Sequence, residues 1–188
     1  RPFAAKFEPA SIDEAYLDIT EYCAGDWDVA LALARKMKLS IEEELGLSAS
    51  FGIGSTRILA KMGSEENKPG GIHRTMPGEI HAFFADRSLR QIPGIGPKTA
   101  TRLSEWGIET MTDALGVGEL SLARFTSERF ASWLMRVVEG ETSADISVLR
   151  SRKSISKEHT FSHDQRDIEV VLERLGALVT KVLKRAKN

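Results

Sequence analysis

Residues 11–18 read Ser11-Ile12-Asp13-Glu14-Ala15-Tyr16-Leu17-Asp18, two adjacent carboxylates in a short, apolar-rich stretch of strand character. Successive side chains of a strand point to opposite faces. Asp13 and Glu14 therefore reach one point only if the chain bends at the pair. Where such carboxylates do converge, the usual occupant is a hard divalent cation, and Mg²⁺ combines a few oxygen ligands with substrate phosphates. Taken alone, the Asp-Glu pair reads first as the solvated tip of a hairpin.

Working outward, Phe7 to Thr20 predicts a β-hairpin or two short strands. Asp26 or Asp28 caps a helix running to about Leu45, with Ala30, Leu33, Met37, Ile41 and Leu45 as its apolar stripe and Gly46 as its stop. Ser48 to Ile53 reads as a buried strand. Ser55 or Thr56 caps a second helix carrying Ile58, Leu59 and Met62. Asn67-Lys68-Pro69-Gly70-Gly71 is a turn, and a short strand follows at Ile72. From Thr75 onward the pattern is helical: Pro77 at a helix start, a helix–turn–helix over Leu89–Trp106 stopped by Gly107, and a helix near Ser127–Glu139 ended by Gly140. Residues 141–150 read as a linker. A strand is expected over Lys153–Phe161 and a last helix over Ile168–Ala186, with Val171, Leu172, Leu175, Leu178, Val179, Val182 and Leu183 on one broad face. Leu115-Gly116-Val117-Gly118 repeats the glycine spacing of the earlier hairpin but has Glu119 after it, and reads as an ordinary loop.

Four stretches stand in order: the octapeptide; Phe51-Gly52-Ile53-Gly54 with Ile58-Leu59-Ala60-Lys61 and Asn67-Lys68-Pro69-Gly70-Gly71-Ile72; Pro93-Gly94-Ile95-Gly96-Pro97-Lys98-Thr99-Ala100; and Lys153-Ser154-Ile155-Ser156 through Thr160-Phe161. Together they resemble the two palm signatures, the thumb helix-hairpin-helix and the first little-finger strand of the Y-family, or translesion, DNA polymerases, polymerase IV-like members in particular. The resemblance covers nearly all of the chain. It implies an α+β fold: a partial ferredoxin-like palm over residues 1–76, an all-helical thumb with its helix-hairpin-helix and linker over 77–150, and the start of a little-finger domain over 151–188. It also implies Mg²⁺-dependent deoxynucleotidyl transfer directed by a template. The family's further metal-binding aspartate, its steric-gate aromatic and its fingers have no counterpart here. The chain is therefore expected to be an internal piece, inactive alone, lacking the first palm strand, the fingers and most of the little finger.

The resemblance makes Asp13 and Glu14 catalytic metal ligands and gives Asp18 a structural role. Lys68, held by a Pro-Gly-Gly turn, becomes the cation for the nucleotide's triphosphate, acting as a point charge; outside this segment it would read as a solvated loop lysine. Arg57 and Lys61 read as surface or DNA-adjacent. Gly94, Ile95 and Gly96 allow a tight turn whose amides face outward ahead of a helix N-terminus, with Lys98 and Thr99 as added donors. Such a nest holds one phosphate without reading sequence. A plain helix–loop–helix turn is the bland alternative. Lys153, Ser154 and Ser156 are expected along a strand that tracks template phosphates. The partners implied are primer-template DNA, deoxynucleoside triphosphates and, through regions outside this chain, a sliding clamp.

Composition sets the bounds. Over 188 residues the net charge is −1, which argues against a nucleic-acid partner if charge is spread evenly. It is not: residues 1–76 hold nine Lys/Arg against twelve Asp/Glu, residues 77–150 eight against ten, and residues 151–188 nine against five. The single cysteine, Cys23, makes no internal disulfide and reads as core filler in a cytoplasmic protein. No apolar run approaches a membrane span. The four histidines lack ligand spacing and read as surface residues, the three tryptophans as core. Two rivals remain at this point: a non-catalytic DNA-binding module built on the helix-hairpin-helix, and a protein scaffold without a DNA partner.

Overall fold

The computed structural model describes residues 6–146 and 154–187, which fall into two compact units, Arg1–Val148 and Leu149–Asn188. The first begins with a hairpin. β1 (Lys6–Pro9) pairs antiparallel with β2 (Ala15–Asp18), so that Glu8 lies opposite Tyr16 and the loop 10–14 carries the acid pair. A short helix α1 (Thr20–Cys23) leads to α2 (Trp27–Leu45). Asp26 caps α2, its carboxylate accepting from the amides of Asp28 and Val29 at 2.8 and 3.1 Å. Gly46 ends it in the left-handed region at φ +65°. Ala30, Leu33 and Ala34 are buried on α2, and burial fades toward the exposed Leu45. Cys23 is buried as well.

β3 (Phe51–Ile53) and β4 (Ile72–Arg74) run parallel, with α3 (Arg57–Glu66) as the crossover between them. Thr56 caps α3 by accepting from the Leu59 amide at 3.3 Å. Helix and strand lie unusually close here. A Cβ on Gly52 would fall on the main chain of Ala60, Gly63 and Ser64, and one on Gly63 would come within 3.2 Å of the Gly52 Cα. Only glycine lets β3 seat α3 at this depth.

The remaining elements of this unit are helical: a 3₁₀ turn Pro77–Glu79, α4 (Ile80–Phe84), a 3₁₀ turn Leu89–Gln91, α5 (Pro97–Ser104), α6 (Met111–Val117), α7 (Glu119–Phe125) and α8 (Glu128–Val138). Phe84, Leu89, Ile92, Ile95, Leu103, Ile108, Met111, Leu122, Leu134 and Val138 form their core, which extends without a break to Leu59 and Met62 of α3. The expected boundary at residue 76 is thus spanned by one continuous apolar core.

Several expectations need correction. Leu115 to Val117 is helical, ending α6, and only Gly118 (φ +79°) is a break, with α7 starting at Glu119. Trp106 is 61% exposed, its ring stacked on Phe125 at 4.5 Å. His73 is half-buried beside the Phe83 ring at 5.3 Å. In the second unit, α9 (Ile168–Ala186) forms as expected. The described part of the strand predicted over Lys153–Phe161, residues 154–161, does not form one: among the described residues it has no partner strand to supply the ladder hydrogen bonds that define a strand. Ile168, Val171, Leu172, Leu175, Val179 and Leu183 of α9 are exposed.

Candidate active site

The acid pair sits in the loop that joins β1 to β2. The amides of Ala10 and Ser11 both donate to the Glu14 carbonyl, at 2.8 and 3.1 Å, folding the loop 10–14 back on itself. Inside it the Ser11 hydroxyl donates to Asp13 Oδ1 at 2.6 Å. That hydrogen bond is the main reason the Asp13 carboxyl lies below its ordinary range, with the positive charges of Lys61 and Lys68 adding to it.

Those charges come from α3 and the turn after it. Lys61 Nζ donates to Glu14 Oε1 and, at 2.9 Å, to Glu65 Oε1; the same Glu65 oxygen accepts from Lys68 Nζ at 2.8 Å. Glu14, Lys61, Glu65 and Lys68 form one chain of alternating charge. The bond to Glu14 is the leading reason the Lys61 ammonium holds its proton more tightly than usual. The bond from Lys68 does most to lower the Glu65 carboxyl. Lys61 is therefore an integral part of this cluster. Asp18 lies apart, accepting from the Thr20 amide at 3.1 Å and facing Lys6 at 3.8 Å.

A second contact joins hairpin and helix beneath the loop. Arg57 grips Glu8 with both arms of its guanidinium, Nη1 to Oε2 at 2.5 Å and Nη2 to Oε1 at 3.1 Å. The guanidinium lies over the Tyr16 ring, 4.2 Å from its centre. Glu8 is 1% exposed. Sequence reading missed this pair. The signal available was a charged residue inside a strand, next to Phe7, with a long basic counterpart at the start of the facing helix.

The donors suit a divalent cation in kind: two carboxylates on one loop, one of them already held by an ammonium ion. They are incomplete in number, because among the described residues no group of three or more His, Cys, Asp or Glu side chains gathers as a metal site.

The helix-hairpin-helix stands elsewhere on this unit. Gly94 is at φ +106° with its Cα against Trp133, where an added Cβ would sit 3.0 Å from the indole. Gly96 has ordinary dihedrals, caps α5 and faces open space. Ile95 departs from the expected role: its side chain is buried in the core and its amide donates to the Ile92 carbonyl at 3.0 Å, so neither is offered to a ligand. The first α5 amide to bond back along the helix is that of Ala100, to Gly96, at 3.0 Å. The amides of Lys98 and Thr99 precede it, in the turn where helix donors have no internal acceptor. Ser154 and Ser156 are exposed in the second unit, and Lys153 lies outside the described residues.

Two family models match this chain: the impB/mucB/samB family over residues 1–65 and the IMS family HHH motif over residues 77–108. The chain belongs to the Y-family DNA polymerases. Its curated relatives are named DNA polymerase IV; that of Halorhodospira halophila is 38% identical over 188 residues, covering 99% of this chain and 52% of its own. Two solved structures are similar as well. A Y-family DNA polymerase chimera, Dbh-Dpo4(243-245)-Dbh, superposes with a TM-score of 0.85 at 33% identity, over 97% of this chain and 53% of the other. An insertion ternary complex of Dbh DNA polymerase gives 0.72 at 31% identity, over 98% and 53%. The chain spans about half the length of the curated relatives it matches.

Proposed function

We propose that this chain supplies palm (1–76), thumb (77–150) and the start of the little finger (151–188) to a template-directed, translesion-type DNA polymerase. The observation that carries the reading is the meeting of the Asp13–Glu14 loop with the cationic face of α3. A site for a nucleoside triphosphate and a divalent cation needs clustered acids and, within reach, free-swinging ammonium groups. Kinship with proteins named DNA polymerase IV supports the enzyme over a non-catalytic hairpin module.

In this reading Asp13 and Glu14 hold Mg²⁺, together with donors from elsewhere in the natural chain. The cation would polarise the phosphoryl oxygens and make the primer hydroxyl a better nucleophile. Every other contribution belongs to the protein. Lys68 turns from Glu65 toward the incoming triphosphate, a small swing for a long side chain that is half exposed. Glu65 holds both lysines near the acids while no nucleotide is bound. Gly94 lets the hairpin turn tightly, and the first-turn amides of α5, with Lys98 and Thr99, hold one duplex phosphate regardless of sequence. Ser154, Ser156 and Lys153 track the template strand. The substrates are primer-template DNA and deoxynucleoside triphosphates. The setting is the cytoplasm, and a sliding clamp binds through other parts of the natural chain. Among the described residues no helix is long and apolar enough to cross a membrane.

The test is primer extension by the protein's full natural chain against Asp13→Asn and Glu14→Gln variants. Loss of extension with duplex affinity preserved supports the assignment. Equal extension by all three overturns it.

A further inference from the structure

Two ionic ties run from one face of α3 to the hairpin, and they differ in kind. Arg57 and Lys61 are one helical turn apart and so share a face. Lys61 reaches Glu14 in the loop, with side chains 30% and 44% exposed, a contact that water and ions can replace at little cost. Arg57 reaches Glu8 on β1, and the fork geometry fixes the angle between helix and strand as well as their separation. Because Glu8 and Tyr16 are opposite one another in the ladder, carboxylate and ring present one surface to the guanidinium. Arg57 is held from a third side too: Nη1 donates to the Asp145 carbonyl at 3.0 Å, and its own amide to the Ser143 carbonyl at 3.4 Å.

A cation that takes Glu14 removes it from Lys61, and the exposed tie is lost at the moment the loop must be most accurately placed. The buried tie is unaffected. We infer that Glu8 and Arg57 are positioning residues: they hold the Asp13–Glu14 loop at a fixed distance from α3 when a divalent cation has replaced Lys61 on Glu14. This rests on the carboxylate reading above and adds to it residues that never touch the cation. Lysine in place of Arg57 would keep the charge but lose the fork and the flat face on Tyr16, so it should serve only in part.

The measurement is Mn²⁺ binding to the protein's full natural chain, read from the spin resonance of the free ion without nucleotide or DNA. Asp13→Asn tests the underlying site. Arg57→Gln and the isosteric Glu8→Gln test the positioning role. Leu134→Ala, a fully buried change in α8, serves as a variant of lowered stability whose loop is untouched. We expect Arg57→Gln and Glu8→Gln each to weaken Mn²⁺ binding by about tenfold or more, as loss of a ligand's supporting partner does. Arg57→Lys should fall between them and the parent, and Leu134→Ala should match the parent. If Asp13→Asn binds Mn²⁺ as tightly as the parent, the carboxylate reading fails and the proposal with it. If Asp13→Asn loses the ion while both Gln variants retain it, or lose no more than Leu134→Ala, the site stands and the positioning role is refuted. Should Arg57→Gln fail to fold, Glu8→Gln decides alone.

Discussion

Gly52→Ala is the sharpest perturbation the fold offers, because one methyl group meets only main chain. The new Cβ would overlap the Ala60 carbonyl, the Ser64 amide and the Gly63 carbonyl carbon, with no flexible side-chain end among them to swing aside. Overpacking a core usually costs about 1–3 kcal/mol where side chains can adjust. Here α3 must move as a body, so about 3 kcal/mol is expected, the upper end of that range. With a urea dependence on the order of 2 kcal/mol per M, that lowers the unfolding midpoint by about 1.5 M. Gly78→Ala is the control: nothing lies within 4 Å of its Cβ position. The assay is urea unfolding followed by helix circular dichroism at fixed protein concentration. If Gly52→Ala unfolds within about 0.5 kcal/mol of the parent, the scale expected of an ordinary surface change, the close seating of α3 on β3 is wrong. The position of Lys61 and Lys68 opposite the acid loop would then be wrong too, since both depend on that seat.

Four other outcomes are expected. In the full natural chain, Lys68→Ala should raise the nucleotide KM more than it lowers duplex affinity, and an unchanged KM would remove Lys68 from the nucleotide site. Gly94→Val should weaken duplex binding by any sequence, since it strains a positive-φ turn and strikes Trp133; Gly96→Ala should keep the fold, which circular dichroism and filter binding separate. Glu66 is paired with Arg87 at 2.6 Å, which is the leading reason its carboxyl is lowered. A lowered folded-state pKa stabilises above the unfolded value of about 4.3 and is lost as pH falls through the folded one, so Glu66→Gln should cost stability at about pH 6 and nothing at about pH 2. Truncation after Arg150 should reduce any self-association of the 188-residue chain seen by light scattering, because it removes the exposed apolar residues of α9; a strictly monomeric parent would refute this.

The elements were legible where local chemistry decides them. Asp26 or Asp28 and Ser55 or Thr56 announce helix starts because such side chains can cap, and the structure uses Asp26 and Thr56; Gly46 and Gly107 announce ends through their positive φ. The strand near residue 153 was not legible, for the opposite reason. A strand needs a partner, and alternation of polar and apolar residues cannot supply one. Trp106 misled in the same way: an apolar ring signals burial only when something comes to cover it, and here Phe125 covers one face alone.

The site divides along the same line. The loop that carries Asp13 and Glu14 was legible because a turn between two paired strands is local. The counter-ions were not, because each joins residues far apart in sequence: Lys61 to Glu14, and Arg57 to Glu8. Net charge obscured them further. A total of −1 looks inert to a polyanion. Yet Glu14 is paired with Lys61, and Lys68 with Glu65; on the proposed reading a cation that takes Glu14 frees Lys61 for phosphate, and Lys68 swings to it from Glu65. A near-neutral palm is therefore compatible with a polyanionic substrate. On that reading, part of the charge that meets the phosphate is stored against a metal ligand, as Lys61 is against Glu14, and is released by the ion that accompanies the nucleotide.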